Sequence, residues 1–353
     1  MTQAPLVDPM SPEARRREVD RRLERVRAIC EGRGGAVAVL SSRANVAWLT
    51  AGGQHHVVLS SETGVGSLVV TPRSATLVAP SIEVDRLENE EIAGLGIEIV
   101  AVPWWESDAL DAAVAALAHG RPVLDDAALE DGLRAERSVL GDADIERLGT
   151  LGRAAEQAVT DAIGAIEPGA SEDGLAASLI GRLVGIRAPV VLVAADERIE
   201  RFRHPLPGAH PIQRRVMLVL VGEAWGLHVA LTRIREFEDP PPYIGERMRA
   251  VVDVERAMIE ATTPGATLGD VVSAAQREYA KAGRPDEWHD HHQGGTIAYH
   301  GREAVATPGD ATVIERGMAF AWNPSIAGAK VEDTFVVTVD GSRRFVTGLS
   351  RTA

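Results

Sequence analysis

Hydrophobic and polar positions follow a helical period at the start of the chain and a strand-like pattern after it. From Pro12, apolar residues recur at i, i+4, i+7 and i+11 among charged residues, which predicts a helix with one buried stripe. The stripe consists of Val19, Leu23, Val26 and Cys30. Short apolar segments separated by turn residues then predict strands. These strands are expected at residues 36–40, 56–59, 67–71, 76–78 and 97–102, with helices at residues 82–91 and 108–119.

The pattern changes near residues 137–142, where turn-rich sequence gives way to long helical periods. From Asp144 the apolar positions keep helical spacing, Gly169 ends this helix, and Ser171 provides the N-cap of the next. A second pair of helices is predicted at residues 246–262 and 267–283. We therefore predict three segments: a disordered arm at residues 1–11, an N-terminal domain at residues 12–138 and a C-terminal domain at residues 139–353.

A nearly unbroken apolar run lies between these two helix pairs. The run Val216–Val221 fits a strand that is buried on both faces. Residues 222–226 can form the turn into a second strand, which ends with Ala230-Leu231-Thr232-Arg233. The sequence therefore predicts a buried strand pair at the centre of the second domain.

Composition and charge narrow the possible partners. The chain has 353 residues, 45% of them hydrophobic, and no apolar run approaches the roughly 18 residues of a membrane-spanning helix. The N-terminus has no apolar core typical of a secretion signal, so we expect a cytoplasmic protein. A net charge of −14 argues against nucleic acid or an anionic membrane as a partner, and we expect a small-molecule substrate.

Several motifs in residues 140–350 match those of a known family. They are the phrase at Ile166–Gly174, the strand ending Ala230–Arg233, the segment Met318–Ser325 and the segment Lys330–Thr334. On these motifs the chain resembles the pita-bread hydrolases, the M24 family of methionine and Xaa-Pro aminopeptidases, prolidase and creatinase. The resemblance implies an α+β protein, with a C-terminal pita-bread domain of two helix pairs backing a curved antiparallel sheet and a smaller N-terminal α/β domain. It also implies a homodimer.

Most metal-ligand positions of the metal-dependent relatives carry other residues here. Those relatives have an Asp on each strand of the central pair, eleven residues apart, and this chain has Val219 and Ala230 at that spacing. Asn323 stands where the relatives have a ligand Glu, whereas Glu332 is retained. Hard divalent ions need oxygen ligands, which valine and alanine side chains lack. We therefore predict neither a metal nor any other cofactor.

A histidine cluster leaves the fifth ligand position open. Matching the glycines places that position at Gly295 or Thr296, whereas matching Gly301-Arg-Glu places it at His291. His289, His291 and His292 lie within four residues and would in principle suit zinc, but the lost carboxylates argue against it. Orientation of an anionic or carbonyl substrate by His291 or His292 is the favoured interpretation, and the sequence does not decide which of the two faces the cavity.

His204 is the candidate acid and base. It lies fifteen residues before Val219, and the resemblance carries to it the role of the histidine in creatinase, which cleaves a C–N bond without metal. Histidine titrates near neutrality and can take and return one proton in a cycle. Glu332 has two interpretations: a general acid or base whose pKa is raised by desolvation, or an ion-paired carboxylate beside Lys330, Arg233 or a substrate cation.

The sequence thus predicts a metal-independent, creatinase-like enzyme that hydrolyses, eliminates or rearranges a C–N or similar bond in a small polar molecule. His204, Glu332 and His292 are the predicted catalytic residues. The predicted substrate-binding residues are His228, His291, Asn323, Arg233, Tyr299 and Lys330. Two alternatives are a non-catalytic binding module with a degenerate cavity and a residual Xaa-Pro metallopeptidase.

Overall fold

The computed structural model of this chain describes residues 5–348, which form two compact units. One unit consists of residues 8–137, and the other of residues 138–348 with the short stretch 5–7. The first four residues of the predicted disordered arm lie outside the described residues. Within residues 5–348, no helix combines the length and the apolar character needed to cross a membrane.

The N-terminal unit is built on a five-stranded sheet in the order β4-β3-β2-β1-β5. The two outer pairs are parallel and the two inner pairs are antiparallel. Its elements are α1 (Pro12–Glu31), β1 (Val37–Ser42), α2 (Arg43–Leu49), β2 (Thr63–Val70), β3 (Ala75–Pro80), α3 (Val84–Arg86) with a following π-helical turn (Leu87–Glu91), β4 (Glu98–Val102), α4 (Ala109–Ala118), β5 (Val123–Asp125) and α5 (Asp126–Ser138).

Helix α1 confirms the predicted amphipathic pattern. Ser11 caps it by accepting a hydrogen bond from the backbone N–H of Ala14, and Pro12 occupies the first turn, where no N–H is needed. All four residues of the predicted stripe are buried. Helical spacing was therefore sufficient to identify the buried face.

The predicted strand at residues 56–59 is wrong. These residues form an irregular loop, in which Val57 and Val58 are 61% and 59% exposed. The strand begins later, at Thr63, because the longer apolar stretch of β2 pairs with β1 on one side and β3 on the other. A three-residue apolar run without such partners does not form a strand.

The C-terminal unit contains two larger antiparallel sheets, each backed by helices, and a short two-stranded sheet. Its elements are α6 (Asp142–Ala165), α7 (Glu172–Ile180), β6 (Arg187–Ala195), α8 (Arg198–Arg201), β7 (Arg215–Ala224), β8 (Leu227–Glu236), α9 (Pro242–Ala261), α10 (Leu268–Lys281), a 3₁₀ turn (Glu287–Asp290), β9 (Gly294–Thr296), β10 (Ala304–Val305), β11 (Ala319–Trp322), β12 (Ser325–Ile326), β13 (Ala329–Lys330), β14 (Asp333–Val337) and β15 (Arg343–Phe345).

The two halves of this unit repeat one arrangement. Helices α6 and α7 pack on the sheet β6-β7-β8, and helices α9 and α10 pack on the sheet β10-β9-β11-β14-β15. In the second half, the buried residues of α9 and α10 share one apolar core with Phe320, Trp322 and Phe335 of the strands. Two helix pairs backing antiparallel sheet are what the sequence resemblance implied.

The hairpin between β7 and β8 is tighter than the sequence predicted. Strand β7 continues to Ala224, and the turn consists of Trp225 and Gly226, with φ of 52° and 76°. Two consecutive positive φ angles suit a two-residue hairpin turn, because its twist matches that of the strands. The register places Val219 opposite Thr232, so the predicted position of this strand pair is confirmed.

The two sheets meet where the middle of β8 contacts the start of β14. The backbone N–H of Thr232 donates to the carbonyl of Glu332 at 3.0 Å. Nearby, the Thr334 hydroxyl of β14 accepts from the backbone N–H of Ala230 on β8 and donates to the Ala230 carbonyl, each at 2.9 Å. This junction fixes Glu332 at the boundary between the halves, where the candidate site lies.

Candidate active site

The site is assembled from adjacent strand ends of the C-terminal unit. Trp322 on β11 pairs with Gly294 on β9 and with Asp333 on β14. Asn323 and Glu332 directly adjoin these pairs, so they are neighbours across the sheet. The backbone N–H of Asn323 donates to the Gln293 carbonyl at 3.1 Å, which brings the segment before β9 to the same place.

Three imidazoles from distant parts of the sequence converge there. His204 follows α8, whereas His291 and His292 follow the 3₁₀ turn. Their closest ring nitrogens all lie within 4.8 Å of one another, and the Nε2 atoms of His204 and His291 are 3.1 Å apart. The rings of His291 and His292 stack, with centroids 4.7 Å apart. The sequence left open which of these two joins His204, and the structure brings both to it.

The imidazoles differ in exposure. His291 is buried, and burial together with nearby Lys330 lowers its pKa from 6.5 to about 2. His204 and His292 are exposed at the surface of the cluster. Partial burial, then the charge of Lys330, lowers the pKa of His204 below its ordinary value. Partial burial, then Arg302, lowers the pKa of His292 to about 4. All three rings are therefore neutral near pH 7.

A hydrogen-bonded network holds the His291 segment in place. Ser325 Oγ lies 3.3 Å from Nδ1 of His291. The side-chain amide of Gln293 donates to the carbonyl of His291, and its oxygen accepts from the Tyr279 hydroxyl at 2.8 Å. The backbone N–H of Gly294 donates to Nδ1 of His292 at 3.3 Å. With Nδ1 accepting, the neutral His292 ring carries its proton on Nε2.

Glu332 is an ion-paired carboxylate. It is 2% exposed, and it accepts hydrogen bonds from Arg302 Nη2 at 2.7 Å and from Thr232 Oγ1 at 2.9 Å. Lys330 Nζ lies 3.6 Å from its Oε2 atom. Burial alone would raise the pKa of Glu332, but Lys330 and Arg302 outweigh burial and hold the pKa below the ordinary value. The structure thus favours the ion-pair interpretation over a carboxyl group with a raised pKa.

Arg302 is the partner that sequence reasoning missed. The sequence offered Lys330 and Arg233 as cations for Glu332, but the shortest ion pair comes from Arg302, thirty residues earlier. In the sequence, Arg302 is part of the Gly301-Arg-Glu alignment marker and has no predicted role of its own. A buried carboxylate that needs a cation was the available signal, but the sequence could not rank the candidates.

Two predicted substrate-binding residues lie elsewhere. Arg233 pairs with Glu156 Oε1 at 2.7 Å and with Asp333 Oδ1 at 2.9 Å, away from the imidazoles. Successive side chains of a strand point to opposite faces, so Thr232 reaches Glu332 while Arg233 reaches Asp333. The hydroxyl of Tyr299 donates to a carboxylate of α6, Asp144, at 2.8 Å. Both side chains hold helix α6 against the sheet.

His228 is a separate histidine at the start of β8. Its Nδ1 lies 3.2 Å from the carbonyl oxygen of Ala298, and its Nε2 lies 4.0 Å from a carboxylate oxygen of Glu223. Burial lowers its pKa, and Glu223 partly opposes this effect. His228 is not one of the three converging imidazoles, and its role in substrate choice stays a prediction.

The metal pair of the metal-dependent relatives does not fit these residues. Val219 packs with Leu192, Ile199 and Met217 in an apolar cluster, and Ala230 is fully buried. Neither offers an oxygen ligand. Within residues 5–348, the candidate metal ligands that lie close enough together to hold an ion are the nitrogens of these three imidazoles. However, two of the cations near them, Lys330 and Arg302, share one carboxylate, Glu332, and this local surplus of positive charge disfavours a divalent cation.

Comparison with known proteins agrees with this geometry. Two helix-backed antiparallel half-sheets with a polar site at their junction define the pita-bread class of α+β proteins. The chain belongs to metallopeptidase family M24, whose family model matches residues 146–339. Enzymes of this family are hydrolases. The resemblance inferred from the motifs and the predicted fold class are therefore confirmed.

Similar proteins include dipeptidases and, among solved structures, a prolidase and a FACT complex subunit. The probable dipeptidase PepE of Mycobacterium tuberculosis is 25% identical over 298 residues, which cover 75% of this chain and 79% of PepE. Among solved structures, the prolidase of Pyrococcus horikoshii has a TM-score of 0.75 at 18% identity, covering 93% of this chain and 98% of its own. The N-terminal domain of the chickpea FACT subunit SPT16 has a TM-score of 0.71 at 13% identity, covering 95% and 97%. At these identities the solved structures establish the fold alone.

Proposed function

We propose that this protein is a hydrolase that cleaves an amide-type C–N bond in a small molecule by imidazole acid–base chemistry, without a metal pair. The observation that carries the proposal is the meeting of His204, His291 and His292 beside Glu332, in a site where Val219 and Ala230 replace the relatives' metal-binding carboxylates. The dipeptidases among the relatives support a C–N bond as the target.

His204 is the proton carrier in this proposal. One ring nitrogen, Nε2, faces His291, and the other, Nδ1, makes no hydrogen bond to any residue in the described range 5–348. His204 would take one proton from water through Nδ1 as the water oxygen attacks the substrate carbon. It would return that proton to the leaving nitrogen as the C–N bond breaks, so the ring ends the cycle neutral.

His291 and Glu332 serve as supports for this cycle. The buried His291, held by Ser325, fixes the orientation of the His204 ring through the 3.1 Å contact. Glu332 stays ionised, so it does not act as an acid near pH 7. Its negative charge instead favours the imidazolium form of His204 that appears during the reaction, as the raising effect of Glu332 on the His204 pKa indicates.

The test is a hydrolysis screen of the wild type and a His204→Gln variant. The panel contains dipeptides, including Xaa-Pro dipeptides, N-acyl amino acids and guanidino acids. Glutamine can still hydrogen bond to His291 but cannot carry a proton, so kcat should fall about 10²- to 10⁴-fold with little change in melting temperature. His289→Gln is the matched control, because His289 is exposed and near the same segment but outside the three-imidazole cluster.

Metal content separates this proposal from a residual metallopeptidase. The wild type, purified without chelators, should keep its activity after dialysis against a chelator. Stoichiometric manganese, iron, cobalt or zinc whose removal abolishes turnover would contradict the proposal. Unchanged turnover in His204→Gln would contradict it as well.

A non-catalytic binding module is the remaining alternative. It would bind members of the panel without forming product under any condition. The predicted homodimer and the predicted cytoplasmic location also stay predictions. Sedimentation analysis of the purified protein tests the first, and fractionation of the cells that make it tests the second.

A further inference from the structure

The charged groups at the base of the site carry a surplus positive charge. Arg302 and Glu332 form a hydrogen-bonded ion pair with Nη2 and Oε1 2.7 Å apart, so their charges compensate each other. Lys330 is a second cation on the same carboxylate, and its Nζ lies farther away, 3.6 Å from Oε2. One carboxylate therefore serves one buried cation, Lys330, and one partly buried cation, Arg302.

Other acidic groups do not compensate Lys330. Within residues 5–348, Glu332 is the only ion-pair partner of its ammonium group. Arg203, a third cation near His291, has its own partners in Glu287 at 2.7 Å and Asp290 at 3.4 Å. Lys330 is only 6% exposed, so water does little to solvate its ammonium group. A buried ammonium group that shares its one carboxylate with an arginine would be stabilised by an anion.

Asn323 provides a second, independent sign of a missing ligand. It is 3% exposed, and its side-chain oxygen is buried without a hydrogen-bond donor among the described residues. A buried amide oxygen without a donor costs about 1 to 3 kcal/mol, so native structures rarely keep one without a function. Asn323 adjoins Glu332 across the sheet, and Glu332 is the carboxylate that Lys330 contacts.

We propose that the site selects small molecules that carry a carboxylate close to an N–H group, with Lys330 binding the carboxylate and Asn323 accepting from the N–H. This inference rests on the proposed function and names its substrate class. Both groups adjoin the same carboxylate, because the Lys330 ammonium lies 3.6 Å from Glu332 Oε2 and Asn323 neighbours Glu332 across the sheet. A compact acid with an amide nitrogen next to its carboxylate-bearing carbon would satisfy both groups at once and present its C–N bond to the imidazoles.

Three matched probes separate the two contacts. N-acetylglycine has both the carboxylate and the N–H, N-acetylglycinamide replaces the carboxylate with a neutral amide, and N-acetylsarcosine keeps the carboxylate but lacks the N–H. Binding is measured on the wild-type protein by NMR of ¹⁵N-labelled histidine rings, which detects weak binding without turnover. We expect N-acetylglycine to bind about tenfold more tightly than N-acetylglycinamide and about fivefold more tightly than N-acetylsarcosine.

Variants assign each preference to a residue. Lys330→Met should remove the preference for N-acetylglycine over N-acetylglycinamide, and Lys330→Arg should restore most of it. The control Lys281→Met removes an exposed lysine and should not change the preference for N-acetylglycine over either of the other probes. Asn323→Leu should equalise N-acetylglycine and N-acetylsarcosine. Because this variant deletes a buried unpaired oxygen, its melting temperature should be equal to or above that of the wild type, which a merely structural role would not give.

The outcomes distinguish this inference from the proposed function. Equal affinity for the charged and neutral probes, or binding of none of the three, would overturn the carboxylate assignment. A large loss of stability in Asn323→Leu would overturn the role of Asn323. If N-acetylglycine binds as expected while His204→Gln leaves hydrolysis unchanged, the substrate class stands and the proposed chemistry fails. If hydrolysis depends on His204 but the neutral probe binds equally well, the chemistry stands and the substrate class fails.

Discussion

Replacing Glu332 with glutamine tests whether the buried charge cluster holds the site together. The variant keeps the shape of the side chain and its ability to bond Thr232, but it leaves Lys330 and Arg302 without a negative charge. The side chains of Glu332 and Lys330 are 2% and 5% exposed, so water cannot replace the lost partner. Removing one member of a buried ion pair costs about 3 to 5 kcal/mol, because the remaining charge stays buried and uncompensated. We expect Glu332→Gln to lower the free energy of unfolding by this amount.

A surface pair supplies the matched control. Glu278 and Lys281 lie closer together, with Nζ and Oε1 2.5 Å apart, but the lysine side chain is 70% exposed. Exposed pairs contribute at most about 1 kcal/mol, because water and salt screen the attraction. Urea unfolding followed by circular dichroism should therefore show a larger loss of stability for Glu332→Gln than for Glu278→Gln, although the Glu278 pair has the shorter N–O distance. Equal losses, or a larger loss for Glu278→Gln, would refute the reasoning from burial.

The pH dependence of the stability loss in Glu332→Gln tests whether the loss is electrostatic. The folded-state pKa of Glu332 is below its ordinary value of 4.5, so its contribution to stability is present above that pH. The contribution is lost as the pH falls through the lower folded-state pKa. The difference between wild type and Glu332→Gln should be largest near neutrality and should narrow in acid. A difference that does not change with pH would indicate a steric cause.

Two further predictions follow from the buried histidine and from the apolar metal positions. Because the pKa of His291 is about 2 in the folded chain, the unfolded chain binds a proton below pH 6.5 that the folded chain does not. Stability should therefore fall as the pH is lowered from 6.5, by up to about 1.4 kcal/mol per pH unit, and His291→Gln should reduce this slope in urea unfolding at pH 7 and pH 5. Placing carboxylates at the strand pair, in Val219→Asp with Ala230→Asp, should lower the unfolding midpoint and create no tight manganese site by calorimetry. The reason is that Val219 lies in an apolar cluster and Ala230 is fully buried, so neither position solvates a charge. A stable double variant that binds manganese would contradict the conclusion that this strand pair does not fit a metal pair.

The elements that the sequence predicted well are those set by local periodicity. The stripe of α1 and the apolar run of β7 were readable because a helix or a buried strand imposes its own period on the side chains. The sequence named Lys330 and Arg233 as candidate cations for Glu332, and Lys330 contacts it because residues two apart lie on one face of an extended segment. Family motifs then supplied the pita-bread arrangement that periodicity alone could not.

The parts that the sequence could not predict depend on contacts between distant residues. The meeting of His204 with His291 spans 87 positions, and only the folded sheet places one ring nitrogen 3.1 Å from the other. Arg302 and Glu332 are thirty positions apart, and nothing local distinguishes Arg302 from Arg233 as the partner. The choice is made by strand alternation, which directs Arg233 toward Asp333 and α6.

The replacements in this site change its charge in a consistent direction. Where metal-dependent relatives have carboxylates, this chain has Val219, Ala230 and Asn323, so three negative charges are absent. Lys330 remains, and the one retained carboxylate already pairs with Arg302. The charges of such a composition favour an anion over a divalent cation, because the same field that lowers the imidazole pKa values favours negative charge. The replaced ligand positions and the surplus charge of Lys330 therefore both support the proposed chemistry, in which neutral imidazoles act on an anionic substrate.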